Sequence, residues 1–362
     1  MKAPLKSIFV KPLLTAALLA AAHAAAAQGY QQINLVTNDQ SVNKAAQTDP
    51  NLVNPWGISY GPTGPFWVSN NGTDTSTLYN GAGTPLSLVV KIPSSNPVLG
   101  PTGQVFNGSS DFSGKNFLFA SEDGTLSGWK SGTDGTQAVV VVNNAAKSAS
   151  YTGIAISGHD LFAANSATGG GLDVFSSTFG AIGTYNDANA AGSTPFNVQN
   201  IDGTLYVPYV GAGGNFLDTF DPATDTFTRL VTGGELQGAW GLAQAPTGFG
   251  AFGGDLLVGN LFDGKINAYD PITGAFRGGL TDSAGNALVN PGLWGLTFGN
   301  GGRAGATDTL YFAAGGANQQ SGLFGSIAPA AVPEASTTIS LGLLLVLGGL
   351  AVAVRRKKAA AH

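Results

Sequence analysis

The sequence predicts an all-β fold, a six-bladed β-propeller over residues 28–331, with an apolar leader before it and a second apolar run after it. Three observations carry this expectation. One strand pattern recurs six times at intervals of 44 to 54 residues, a period that belongs to propeller blades. The composition suits short strands and tight turns: 54 Gly and 10% charged residues, yet 43% hydrophobic residues to build a core. The last cycle also lacks a strand that the first apolar segment of the domain can donate.

In chain order, residues 1–27 read as a signal peptide. Lys2, Lys6 and Lys11 form a positive start, Leu13 to Ala22 an apolar centre, and Ala25–Ala27 a small-residue cleavage site before Gln28. The apolar run is too short to span a bilayer.

Each cycle then opens with an apolar strand entered through Pro, Gly or Asn. These openings are Pro55-Trp56-Gly57-Ile58, Pro101-Thr102-Gly103-Gln104, Tyr151-Thr152-Gly153-Ile154, Pro195-Phe196-Asn197-Val198, Ala239-Trp240-Gly241-Leu242 and Leu293-Trp294-Gly295-Leu296. Trp56, Trp240 and Trp294 share one position in the cycle, which marks them for packing. Second strands follow at Phe66-Trp67-Val68, Leu118-Phe119-Ala120, Leu161-Phe162-Ala163, Leu205-Tyr206-Val207, Leu256-Leu257-Val258 and Leu310-Tyr311-Phe312. Third strands run into turns, clearest at Asp221-Pro222 and Asp270-Pro271, where Asp-Pro lies between aromatic strands and builds the hairpin. The sixth cycle supplies strands at 293–298, 309–314 and 322–328. Pairing Gln32–Thr37 into that sheet closes the ring and removes an open edge.

The tail, 332–362, has three parts: Val332-Pro333-Glu334-Ala335-Ser336, the apolar run Ile339–Val354, and Arg355-Arg356-Lys357-Lys358. The run approaches the shortest transmembrane helix, about 17 residues. The basic cluster would hold its end in the cytoplasm. This order resembles the PEP-CTERM sorting signal of Gram-negative bacteria, although Ala335 stands where the second Pro of Pro-Glu-Pro belongs. The resemblance implies an exosortase-type sorting enzyme as a partner, transient anchoring in the inner membrane, and release to the cell envelope or beyond. The segments Asn54–Ile58, Gly64–Gly72 and Tyr79–Gly83 resemble an uncharacterised family of secreted bacterial propellers, often PEP-CTERM tailed. That resemblance implies a fold and a location but no activity.

Charge and residue types exclude several functions. Residues 28–331 hold 9 basic and 20 acidic residues, a net of −11, which is unsuited to nucleic acid. Without any Cys there is no disulfide, thiol nucleophile or thiolate metal site. His159 is the only histidine of the domain and reads as an exposed turn residue in Ser157-Gly158-His159-Asp160. A zinc site or a Ser-His-Asp triad therefore has too few members.

Aligning the second strands places Asn70, Glu122, Asn165, Tyr209, Asn260 and Ala314 just beyond their apolar cores, one per blade. If these positions converge on the axis, Asn70, Glu122, Asn165 and Asn260 offer oxygen ligands for Ca²⁺ or another hard cation. The pattern is similar to that of lactonase and gluconolactonase-type propellers, which implies a metal that polarises a lactone carbonyl and activates water. The alternative is that these side chains satisfy turn backbone at strand ends. Asp74, Asp123, Asp263 and Asp282 form a second set of loop carboxylates, read more simply as turn residues.

Two functions follow as expectations. The first is an exported cell-envelope or extracellular-matrix propeller that binds polysaccharide or a surface protein, with aromatic faces for the contact. The second is a metal-dependent lactonase-type hydrolase working through the Asn/Glu ring. A structural matrix protein would do neither.

Overall fold

The six cycle openings become the inner strands of six sheets. In a computed structural model, which describes residues 29–94 and 99–331, these strands are Pro55–Ser59, Pro101–Phe106, Tyr151–Ser157, Ser193–Pro195 continued by Gln199–Ile201, Ala239–Gln244 and Leu293–Phe298. Each belongs to a separate antiparallel sheet, here blades 1 to 6 in chain order. Inner strands of successive blades pack side by side, and that of blade 6 packs on that of blade 1, so the ring is closed. The Asp-Pro hairpins form as expected: Phe216–Asp221 pairs with Thr226–Thr232, and Ile266–Tyr269 with Phe276–Gly279. Asp221 and Asp270 hold these turns by accepting from the backbone N–H groups of Ala223 and Ile272.

Blade 6 takes its outer strand from the start of the domain. Tyr30–Thr37 runs antiparallel to Leu323–Pro329, from Tyr30 opposite Pro329 to Thr37 opposite Leu323, with one bulge between Asn34 and Val36. It begins two residues earlier than the Gln32 expected, because the Tyr30 ring packs on Phe249 and its hydroxyl donates to the Phe249 carbonyl at 3.0 Å. Gln47–Thr48 adds a short parallel strand outside it.

A bulge interrupts the pairing of inner and second strands at the same place in blades 1, 2, 3, 5 and 6. It falls on the Trp-Gly or Thr-Gly dipeptide of the cycle opening. A bulge adds a residue to one strand and bends it. The glycine meets a second demand, since neighbouring inner strands approach backbone to backbone. A Cβ on Gly295 would lie 2.5 Å from the Trp56 carbonyl oxygen, and one on Gly241 would lie 2.2 Å from that of Trp294. Blade 4 has Asn197 in the glycine position, and there the inner strand splits in two. The Asn197 amide donates to the Trp240 carbonyl at 2.8 Å, tying blade 4 to blade 5.

The core lies between the blades. The second strands are buried on both faces: Phe117, Leu118, Phe119 and Ala120 are at most 6% exposed. The signal peptide expected at 1–27 falls outside the described residues. So do the residues expected to form a sorting motif, Val332, Pro333 and Glu334, the apolar run, and Arg355, Arg356, Lys357 and Lys358. Among the described residues, no helix is long and apolar enough to cross a membrane.

Candidate functional site

The bulges and close-packed glycines give the channel through the ring two unlike ends. Where the inner strands begin, Trp56 and Trp294 stack with ring centroids 3.4 Å apart, and Trp240 meets both edge-on at 6.1 and 5.7 Å. Phe196 lies 5.7 Å from Trp294, and Leu261 completes the cluster. Blades 1, 4, 5 and 6 thus close the channel with an aromatic plug. The shared Trp position is a packing position, as the repeat implied, although the packing is at the axis and not between sheets. Trp294 Nε1 donates to Asn54 Oδ1 at 3.2 Å and Trp240 Nε1 to the Thr152 carbonyl at 3.0 Å. The buried Trp56 Nε1 has no partner.

Below the plug the channel opens into a cavity of about 300 Å³. Trp240 lines it together with Ser59, Gln104, Gln199, Asn200 and Thr297, and Tyr60 and Phe106 contribute aromatic wall. A second hollow of about 380 Å³ shares Tyr60, Gln199, Asn200 and Thr297 and continues past Gln244 and Pro246. The amides in the wall staple neighbouring blades: Gln199 Nε2 donates to the Leu242 carbonyl at 2.6 Å, and Asn200 Nδ2 to the Ile156 carbonyl at 2.8 Å. Gln104 Nε2 donates to the carbonyls of Gly57 and Trp67. Ser59 Oγ is buried without a partner. The lining of the first cavity includes no carboxylate, imidazole or ammonium group.

Of the four residues expected to form one Asn/Glu ring, three occupy equivalent positions and Glu122 does not. Pairing with the inner strands sets Pro55 opposite Asn70, Tyr151 opposite Asn165 and Ala239 opposite Asn260, but Pro101 opposite Ser121. Glu122 is one residue further on, and one step along a strand turns the side chain to the other face. Asn70 Nδ2 donates to Thr75 Oγ1 and Thr77 Oγ1, Asn165 Nδ2 to Asp173 Oδ2, and Asn260 Nδ2 to the Glu235 carbonyl. These three point into their own blades and connecting loops. Glu122 faces elsewhere: its Oε2 accepts from Asn71 Nδ2 at 2.9 Å, and Asn71 Oδ1 accepts from Asn54 Nδ2 at 3.1 Å. A chain of contacts therefore runs from Trp294 through Asn54 and Asn71 to Glu122. Burial pushes the Glu122 carboxyl above its usual value, opposed by the Asn71 bond. Tyr209, the blade 4 counterpart, is buried with its hydroxyl unpartnered, and Ala314 is its apolar equivalent in blade 6.

The remaining candidates are turn residues. Asp123 Oδ1 accepts from the N–H of Thr125, Asp263 Oδ1 from that of Lys265, and Asp282 Oδ1 from those of Ala284 and Asn286. Asp74 adopts a left-handed conformation, and burial followed by the nearby Asp123 charge raises its pKa. The His159 side chain is 84% exposed, with Nδ1 2.7 Å from Asp111 Oδ2.

An uncharacterised protein of Acanthamoeba polyphaga mimivirus is 30% identical to this chain, the match covering 73% of each. The chain belongs to this mimivirus protein family. A second uncharacterised protein of the same virus is 29% identical over 82% of this chain and 85% of its own length. Both are viral, whereas the sequence resemblance was to secreted bacterial proteins. No family model matches the chain. Among solved structures, virginiamycin B lyase from Staphylococcus aureus superposes with a TM-score of 0.53 at 13% identity, covering 83% of this chain and 98% of that one. A glucose dehydrogenase gives 0.54 at 14%, covering 82% and 98%. At such identities the likeness is one of fold alone. Within that fold, this chain has a channel plugged by tryptophan at one end and opening at the other into a cavity of about 300 Å³ with an uncharged lining.

Proposed function

We propose that the propeller is a binding module that holds a neutral, hydroxyl-rich ligand, such as a segment of exopolysaccharide, in the open half of its channel. The observation that carries this reading is the cavity of about 300 Å³, which combines aromatic walls with uncharged hydrogen-bonding groups. Sugar rings offer C–H faces to aromatic side chains and hydroxyls to groups such as Ser59 Oγ. Hydrolysis needs an acid, a base or a metal at the reacting atom. The wall of the 300 Å³ cavity offers only the Tyr60 phenol and aliphatic hydroxyls for that purpose, with Asp202 the carboxylate of the adjoining hollow, which favours retention over turnover in the first cavity. The leader and the tail support a location outside the inner membrane, with an exosortase-type enzyme acting at Val332-Pro333-Glu334. The Trp plug makes the cavity one-ended, so a chain would enter by its end or lie across the opening.

Trp240 in the wall supplies the signal for a test. Neutral exopolysaccharide fragments titrated against the protein are expected to change its tryptophan fluorescence saturably, with the effect weakened in Tyr60→Ala and Phe106→Ala. Metal-dependent turnover of a lactone panel, lost in Glu122→Gln, would overturn the binding reading in favour of the hydrolase. Fluorescence changes unaltered by both cavity variants would place the ligand elsewhere.

A further inference from the structure

A second cleft, of about 310 Å³, lies on the blade 2 side of blade 3, and its lining shares no residue with the channel cavity. Two segments form it. One is the link that leads from blade 2 into blade 3, which contributes Asn144 and Lys147. The other is the outer half of blade 3, where Leu172–Phe175 pairs with Ala181–Tyr185. Leu172 and Val174 pack towards blade 4, and Phe175 packs towards blade 2. Strand alternation therefore turns Asp173 to the blade 2 side, into the cleft.

Asp173 is the acceptor of a preformed network. Thr184 Oγ1 donates to its Oδ1, and the Tyr151 hydroxyl and Asn165 Nδ2 donate to its Oδ2 at 3.0 and 3.1 Å. Asn144 Nδ2 donates in turn to the Tyr151 hydroxyl at 2.7 Å. Asn165, expected from the sequence to hold a metal, thus holds a carboxylate in place. All these donors are neutral. A carboxylate has about four acceptor positions, so these three bonds leave one for a ligand.

Lys147 borders the same cleft, at the end of the single turn Ala145–Lys147. Among the described residues, neither Asp173 nor Lys147 belongs to an ion pair. One cleft therefore carries an acidic and a basic group that neutralise neither each other nor a neighbour. Ile182, 51% exposed, gives it an aliphatic side.

The complement of this arrangement is a ligand with an ammonium for Asp173 and a carboxylate for Lys147. The flexible stem of Lys147 lets its charge follow the ligand. A neutral sugar would leave Lys147 unused, and a net anion would meet the field of an acidic domain. A dipolar ion carries no net charge. The cleft also lies at the lower end of ligand-pocket volumes, about 300–1,000 Å³, which suits a small molecule. We propose that it binds a free α-amino acid with an aliphatic side chain. The ligand ammonium donates to Asp173, its carboxylate accepts from Lys147, and its side chain lies on Ile182. This site does not rest on the carbohydrate reading of the channel.

The test is calorimetric titration of the full chain with L-leucine, with N-acetyl-L-leucine amide, which lacks both charges, and with methyl glucoside, a neutral polyol. Leucine is expected to bind saturably and to shift the Ile182 methyl resonances. Binding should be about tenfold weaker in Asp173→Asn and in Lys147→Gln, as expected for the loss of one charge-assisted contact. Lys44→Gln removes an exposed charge outside the cleft and should bind leucine as the wild type does. Lys147 is exposed, so its variant tests the site even if Asp173→Asn melts early. Absence of leucine binding, equal binding of the capped amide, or leucine binding undiminished in Lys147→Gln would overturn the proposal. So would methyl glucoside binding that Asp173→Asn abolishes, which would make the cleft a sugar site.

Discussion

Replacing Trp294 with alanine removes the centre of the aromatic plug. Trp294 is 1% exposed, stacked 3.4 Å from Trp56, edge-on to Trp240 and beside Phe196. Truncating a buried Trp to Ala costs about 3–5 kcal/mol in lost transfer energy and residual cavity. The backbone around it cannot collapse to fill the gap, because Gly241 and Gly295 already hold neighbouring inner strands in contact. The indole N–H also leaves Asn54 Oδ1, which adds about 1 kcal/mol for a buried acceptor without a donor. The expected loss is therefore about 4–6 kcal/mol. At roughly 2 °C per kcal/mol for a domain this large, the melting temperature should fall by about 8–12 °C. Trp294→Phe keeps a stacked ring and loses only the N–H and some volume, so it should cost about 1–2 kcal/mol. Urea unfolding followed by far-UV circular dichroism measures both. A Trp294→Ala loss under about 1 kcal/mol, the size of one net hydrogen bond, would show that the plug does not hold the ring together.

Two further predictions concern titration. The His159 imidazole should titrate above its ordinary 6.5, because the Asp111 carboxylate bonds to and attracts its charged form; NMR of the ring should show this, and Asp111→Asn should bring the midpoint down. The Arg229 guanidinium lies over the Phe216 ring and is shared between Asp187 and Asp218. Burial pushes Asp218 from 3.8 up to about 7 despite the Arg229 bond, with Asp187 adding to the rise. Between those values the folded chain holds a proton that the unfolded chain has lost. Its stabilising contribution is complete below about pH 4 and disappears as pH rises to about 7. Denaturation across that window should show the wild type losing stability relative to Asp218→Asn as pH rises, a difference that isolates Asp218 from carboxylates such as Asp187, whose lowered pKa acts in the opposite sense. An unchanged slope in the variant would refute the assignment.

Much of the fold could be read from local signals. The period of the cycle openings, the Asp-Pro turns and the three-strand last cycle each express chemistry confined to a few residues. The unpaired QINLVT segment needed only one missing partner to be placed. The register of the second strand in blade 2 could not be read in this way. Asn116-Phe117-Leu118-Phe119-Ala120-Ser121 runs from one polar residue to another through four apolar ones, and a strand buried on both faces shows no alternation to fix its phase. Aligning its apolar run by position shifted it by one residue, which put Glu122 where Ser121 belongs.

The candidate site divides in the same manner. That Trp56, Trp240 and Trp294 are packing residues followed from their shared position, but that they meet at the axis depends on bulges and on glycines that let inner strands touch. No single cycle encodes those contacts, because each involves the backbone of the next blade. The sequence by itself determined the number of blades, the strand that closes them and the acidic, cysteine-free chemistry available. Only the tertiary structure decided which side chains face the channel. That choice rests on strand register, and register rests on pairings between residues far apart in the chain.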